Sequence, residues 1–201
     1  MNDIANISKI TDQIYLSGLF PLYWNTNNIS KLNIKFILSC TSNESVIICQ
    51  NEIIDKIDGI MILTIPFNDN LQQNLWMINN GDIDIQLYIK SESDYQILDN
   101  LKEIYQNKSM IDICYHFIDL AVKSNQNILI HCMAGVSRSV SVIAYYLMKK
   151  YNYSCQGALD YIKNHRKIIN PNKSFVLQLS EYHRLRENYS VDNSTAIIKL
   201  I

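Results

Sequence analysis

The chain has 201 residues, 48% of them hydrophobic and 18% charged, with a formal net charge of −1; this is enough apolar material for one domain with a sizeable core. It contains no run of five or more like charges and no apolar stretch near the ~18 residues a bilayer crossing needs, which argues against a nucleic-acid-binding tail or a membrane span. The five cysteines are odd in number and include no C-x-x-C pair, so neither a disulfide framework nor a zinc site is expected, and a reducing compartment is.

The N-terminus, Met-Asn-Asp-Ile, lacks a basic segment followed by an apolar one, so the expectation is a soluble intracellular protein, cytoplasmic or nuclear. The Asn-x-Ser/Thr sequons, such as those at Asn6 and Asn107, are accidents of an asparagine-rich chain. No internal repeat is visible.

In chain order, residues 13–18 read as a short strand and turn, and 35–39 as a core strand. A helix is expected between them, capped by Thr26, Asn27 or Asn28. A third strand over 60–65 runs into Pro66, which ends the ladder and opens a loop holding Asn68 and Asp69. Residues 75–78 and 83–87 flank Asn79-Asn80-Gly81-Asp82 and predict a β-hairpin with an Asn-Gly turn. Ser93 and Gln96 make a capping box for a helix in which Ile97, Leu101, Ile104 and Tyr105 recur at helical spacing.

Helical periodicity returns over 111–122, and 127–131 is a buried apolar strand. Three helices follow, over 139–150, 154–165 with Ser154 as its cap, and 173–187, the last two separated by Asn170-Pro171-Asn172. Residues 190–201 form a tail whose end, 196–201, is apolar enough to add as an edge strand. Strands alternating with helices predict an α/β fold: a central mixed, mostly parallel sheet flanked by helices, with ligand loops at the strands' carboxyl ends.

The most informative stretch is 127–141, N-I-L-I-H-C-M-A-G-V-S-R-S-V-S. Cys132 and Arg138 lie six positions apart between an apolar strand and a helix. Gly135 supplies the left-handed turn that lets four backbone N–H groups from Met133 onward curl around an anion, within a phosphate-binding stretch of Met133, Ala134, Gly135, Val136, Ser137 and Arg138. The helix that follows aims its positive end at the same point. A thiol there, beside a guanidinium, is expected to ionise near neutral pH and act as a nucleophile. The Arg138 fork can hold two phosphate oxygens and stabilise transition-state charge.

The pattern His131, Cys132, Gly135, Arg138, Ser139 resembles the signature of the cysteine-based protein tyrosine phosphatase superfamily, and its A-G-x-S-R-S form is similar to the dual-specificity branch. The resemblance covers nearly the whole chain, including Q-I-Y-L-S-G, I-P-F-N-D, A-Y-Y-L-M and R-K-I-I-N-P-N-K-S-F-V-L-Q-L. It implies metal-independent, cofactor-free hydrolysis of phosphoprotein through a phosphocysteine, on phosphotyrosine and on phosphoserine or phosphothreonine. By the same resemblance His131 orients the loop and modulates the thiolate, and Arg166 is a candidate contact for a second phosphate or an acidic flank of substrate. Ser139 can donate a hydroxyl hydrogen bond to the sulfur, easing its departure.

The family needs a carboxylic acid on a mobile loop to protonate the leaving oxygen. Asp69 follows I-P-x-x-D and is the preferred choice, although it lies 63 positions before Cys132, longer than usual. Asp99, 33 positions before Cys132, is the rival at the customary interval but falls in the middle of the helix begun at Ser93. Asp82 and Asp84 remain further alternatives.

The chain therefore reads as a catalytic domain over 1–189 with an insertion at 70–108, and a tail over 190–201. The insertion suits a lid, a docking surface or a dimer contact anchored by Trp76 and Tyr88, or an elaboration packed on the domain's own core. No kinase-docking domain is expected upstream. Met133 and Val136 place no added positive charge in the loop, favouring phosphoprotein over phosphoinositide or RNA 5′-phosphate. A catalytically weak phosphoprotein-binding pseudophosphatase is the alternative of another class. Cys40, at the end of a core strand, is either a buried apolar cysteine or a disulfide partner for Cys132.

Overall fold

A computed structural model describes residues 6–24, 27–41, 44–57, 59–78, 86–89, 105 and 107–198. Its six strands are β1 (Ser8–Lys9), β2 (Ile14–Ser17), β3 (Ile34–Ser39), β4 (Met61–Thr64), β5 (Gln86–Ile89) and β6 (Asn127–His131). They form one sheet in the order β1-β2-β6-β3-β4-β5. The inner pairs are parallel and the two edge pairs antiparallel, giving the mixed, mostly parallel sheet expected of this α/β chain.

The strands divide their side chains between two faces with the period of two that a pleated strand imposes. Phe36, Leu38, Met61, Leu63, Ile128 and Ile130 enter one core cluster. The alternating Ile37, Ile62 and Leu129 enter the other. The first face is covered by α4 (Met110–Lys123), α5 (Arg138–Tyr151), α6 (Cys155–His165) and α7 (Lys173–Ile198); the second lies under α1 (Phe20–Trp24), α2 (Asn27–Lys31) and α3 (Glu44–Lys56). Ile130 is wholly buried, so truncating it to Ala should cost about 2–5 kcal/mol.

Local chemistry sets the helix ends. Ser154 caps α6 by accepting from the Gly157 N–H at 3.0 Å. Ser109 caps α4, accepting from the Asp112 N–H at 3.2 Å and donating to the Asp112 carboxylate at 2.7 Å. That carboxylate is also bonded by Tyr145 and Lys149 on α5.

Four sequence expectations change. Where one helix was expected before β3, two short ones form, α1 and α2, and Asn33 in a left-handed conformation (φ 46°) follows the second. Among the described residues, 75–78 and 86–87 of the expected hairpin do not pair with each other. The Met110 and Ile111 N–H groups instead bond the carbonyls of Met77 and Leu75, Ile78 bridges Ser109, and β5 pairs with the outer edge of β4.

The tail is not an edge strand through Ile198. Residues 173–201 contain neither Gly nor Pro, nothing interrupts the helical ladder, and α7 continues to Ile198. Helix α3 was not foreseen at all; its Val46-Ile47-Ile48 run looks strand-like, yet Val46, Cys49 and Ile53 repeat at helical spacing and are buried. The Asn-Gly turn and the helix begun at Ser93 lie outside the described residues.

The strand register fixes where the loops meet. His131 stands level with Ser17 on one side and Ser39 on the other, and Ser39 level with Thr64. Four adjacent strands therefore end at one height. The segments that leave them, beginning at Gly18, Cys40, Ile65 and Cys132, share one rim.

Candidate active site

Residues 132–137 leave β6 and curl into the start of α5. Gly135 sits at φ +65°, and a Cβ there would lie 2.4 Å from the Ser17 carbonyl carbon and oxygen. Only glycine permits both this conformation and this approach to the β2 turn. The Leu19 N–H holds the Met133 carbonyl at 3.0 Å, and the Asn170 N–H holds the Val136 carbonyl at 3.0 Å.

Cys132 is 1% exposed at the base of this loop. Burial alone would push its thiol pKa up. The Ser139 hydroxyl at 3.2 Å, the Ser139 N–H, the Arg138 guanidinium and the Val136 N–H outweigh burial and hold the pKa below its ordinary value. These donors favour the thiolate over the thiol.

Arg138 opens α5 and is held by two neighbouring loops. Its Nη1 donates to Thr41 Oγ1 at 2.8 Å and to the Phe67 carbonyl at 3.2 Å. Its Nε has no hydrogen-bond partner among the described residues and lies 3.7 Å from Asp69 Oδ2. Asp69 itself accepts from the Ser137 hydroxyl at 2.7 Å, and that hydroxyl accepts from the Asn172 N–H at 2.9 Å.

Asp69, Cys132, Met133, Ala134, Val136, Ser137, Arg138, Asn170 and Asn172 thus line one cavity of about 320 Å³. Of the carboxylates weighed as acids, Asp69 is the one placed here; Asp99, Asp82 and Asp84 lie outside the described residues.

His131 is buried beneath the loop. Burial lowers its pKa to about 4 and the Arg138 charge adds to this, against an opposing contact with the Cys132 backbone, so the ring is neutral. Arg166 does not take the position expected of it. It is 2% exposed, and its guanidinium donates to the carbonyls of Gly135 at 2.9 Å, Ala134 at 3.3 Å and Asn6 at 3.0 Å. Two of these carbonyls belong to the phosphate loop and the third to the N-terminal segment, so Arg166 ties the loop to its surroundings through the loop's backbone.

Cys40 is a free, buried thiol whose N–H bonds the His131 carbonyl at 2.8 Å. Burial raises its pKa, with the Cys114 and Cys132 thiols adding to the effect. Among the described residues no three His, Cys, Asp or Glu side chains gather as a metal site, and no helix is long and apolar enough to cross a membrane.

Two site residues, Thr41 and Asn172, were not foreseen: Thr41 accepts from Arg138, and Asn172 donates to Ser137 through its N–H and to Asp69 through its side chain, all across long sequence separations. At Ser137 only the N–H was expected to act, and the hydroxyl does so as well. Only the N-P-N breaker hinted that a rigid turn would meet the loop.

The sequence pattern of the family described as "Dual specificity phosphatase, catalytic domain" matches residues 78–185. A protein of Acanthamoeba polyphaga mimivirus named as a tyrosine-protein phosphatase is 46% identical over 93% of this chain and 88% of its own. Tyrosine-protein phosphatase yvh1 of Schizosaccharomyces pombe is 31% identical over 94% of this chain and 49% of its own length. The crystal structure of PTPMT1 shares the fold with a TM-score of 0.63 at 19% identity, covering 93% of this chain and 99% of that one. The chain belongs to the dual specificity phosphatase family. It is a cysteine-based hydrolase of that family.

Proposed function

We propose that the protein dephosphorylates phosphotyrosine and phosphoserine or phosphothreonine in intracellular proteins, through a phosphocysteine on Cys132. The observation that carries this is the meeting of a stabilised thiolate, a guanidinium and a carboxyl in one cavity: Cys132, Arg138 and Asp69. In the first step Cys132 Sγ forms a bond to phosphorus as the bond to the leaving oxygen breaks. Asp69 gives that oxygen its proton. The loop N–H groups and Arg138 hold the equatorial oxygens.

In the second step water attacks the phosphocysteine and Asp69 takes its proton. The S–P bond breaks, and the thiolate is received by the Ser139 hydroxyl. Inorganic phosphate leaves. The side chains on the loop's outer turn, Met133 and Val136, are uncharged, which supports a phosphoprotein monoester over a polyphosphate. The catalytic unit is assigned to residues 1–189. Within the insertion, Trp76 packs against Tyr145 and Tyr182, and Tyr88 against the second core cluster, which supports an elaboration on the domain's own core for these two side chains.

Hydrolysis of a small aryl phosphate under reducing conditions with chelator tests this. Cys132→Ser should abolish turnover, and Asp69→Asn should slow it by about 10²–10⁴-fold while vanadate binding persists. Full turnover by Cys132→Ser would overturn the assignment. Wild-type protein that binds vanadate without turnover would mark a pseudophosphatase.

A further inference from the structure

Beside the phosphate cavity lies a second, larger and mainly apolar groove of about 670 Å³. Its walls include Leu71, Trp76, Leu177, Tyr182 and Leu185. The three leucines are 66%, 71% and 54% exposed. Large aliphatic side chains exposed together around one concavity mark an interaction surface more often than chance scatter does.

The groove and the phosphate cavity are built on the same two segments. Asp69 faces the cavity and Leu71, two residues on, faces the groove; two residues span at most about 7 Å. Asn172 faces the cavity and Leu177 the groove, which is about 7.5 Å along the helix axis. A polypeptide whose phosphorylated residue occupies the cavity would therefore enter the groove within a few residues.

The groove is also preformed. Gln178 receives the Leu75 N–H at 2.9 Å and donates to the Gln73 carbonyl at 2.9 Å, fastening the acid-bearing segment to α7. Gln73 in turn receives the Asn68 N–H at 2.9 Å. Among the described residues of the lining Glu181 is the charged one, and Arg184 already engages its carboxylate at 2.6 and 2.8 Å. Among the described residues the lining holds no cation for an acidic flank and five large apolar or aromatic side chains for an apolar one.

We propose that this groove is a substrate-docking site that receives a large aliphatic side chain two to four residues from the phosphorylated residue of a phosphoprotein. The proposal rests on the phosphoprotein reading above, and its test is arranged to separate the two.

The binding arm uses Cys132→Ser protein and fluorescent phosphotyrosine peptides carrying either Leu or Asp at those positions, read by anisotropy, so it does not depend on turnover. Leu peptides should bind about tenfold more tightly, the scale of discrimination an apolar pocket provides. Adding Leu177→Ser, or separately Leu71→Ser, should erase that preference. The turnover arm uses the otherwise wild-type protein. Each leucine variant should keep its kcat/KM on a small aryl phosphate and lose about tenfold on Leu phosphopeptides.

Equal affinity for both peptide sets would overturn the docking site, as would an equal loss on both. So would a wild-type dimer in sedimentation that Leu177→Ser dissociates, because the groove would then belong to a second copy. Absent aryl phosphate turnover with the Leu preference intact would overturn the catalytic reading and leave the docking site standing.

Discussion

The Ser137 hydroxyl stands 2.7 Å from Asp69 Oδ1 while receiving the Asn172 N–H at 2.9 Å. One side chain of the phosphate loop therefore holds both the segment bearing the acid and the turn leading into α7. With Oδ1 engaged, Oδ2 is left on the side of Arg138 Nε, 3.7 Å away. Ser137→Ala should slow hydrolysis of an alkyl phosphate, whose leaving oxygen needs a proton, by about tenfold. An aryl phosphate, whose leaving oxygen draws on the Asp69 proton less heavily, should slow by a smaller factor, and Asp69→Asn protein should lose nothing further on adding Ser137→Ala. A loss independent of the leaving group would reduce Ser137 to a structural contact.

Ser139 acts on the sulfur itself. The Cys132 pKa is held down by donors that favour the thiolate, so the reactive form exists above that pKa and disappears as pH falls through it. Ser139→Ala removes a 3.2 Å donor and should move the thiol pKa up by about one unit. The pH profile of alkylation by iodoacetamide checks this: its rising limb should move to higher pH. A limb that stays in place or moves down would contradict the assigned hydrogen bond.

Gly135 is constrained twice, by its φ of +65° and by the Ser17 backbone a Cβ would strike at 2.4 Å. Neither obstacle is the end of a flexible side chain. Gly135→Ala should destabilise the fold by about 3 kcal/mol or more and displace the loop. Thermal unfolding beside phosphate binding measures both effects, and a variant with unchanged stability would mean that the β2 turn yields at little cost.

Arg166 makes the opposite case from a substrate ligand. Its removal leaves the Gly135 and Ala134 carbonyls without these donors, so Arg166→Ala should cost about 2–4 kcal/mol in urea unfolding. It should also weaken vanadate binding and depress aryl phosphate hydrolysis as much as that of a doubly phosphorylated peptide. Selective loss on the doubly phosphorylated peptide would restore a substrate contact.

The central strands and the helices after Ser109 were legible because their periodicity is strong and their caps are chemical: Ser154 before α6, Pro171 before α7. The nucleophile loop was legible because Cys132, Gly135, Arg138 and Ser139 act within one short stretch. What sequence could not convey was partnership across distance. Nothing in Thr41 announces that it will accept from Arg138, and nothing in Arg166 that it will donate to the Gly135 and Ala134 carbonyls. Helix α3 was hidden by a β-branched run, and the 75–87 region by an Asn-Gly pair that suggested a hairpin while β4 offered its own unpaired edge.

The bridge between Ile78 and Ser109 has a bearing on how the scaffold can be remade. The chain departs after Ile78 and returns at Ser109 to a facing position, where Cα atoms across such a bridge lie about 5 Å apart. Both endpoints are already anchored, by the bridge itself and by the Met110 N–H on the Met77 carbonyl at 2.9 Å. Closure entropy grows only slowly with length, so the number of residues between the two endpoints is weakly constrained. What the segment supplies is not: β5 completes the β4 edge, and Tyr105 fills part of the first core cluster. A foreign module with adjacent termini spliced into 79–108 would have to bring its own strand for that edge and an apolar side chain for that core, and α4 would then start in the same direction.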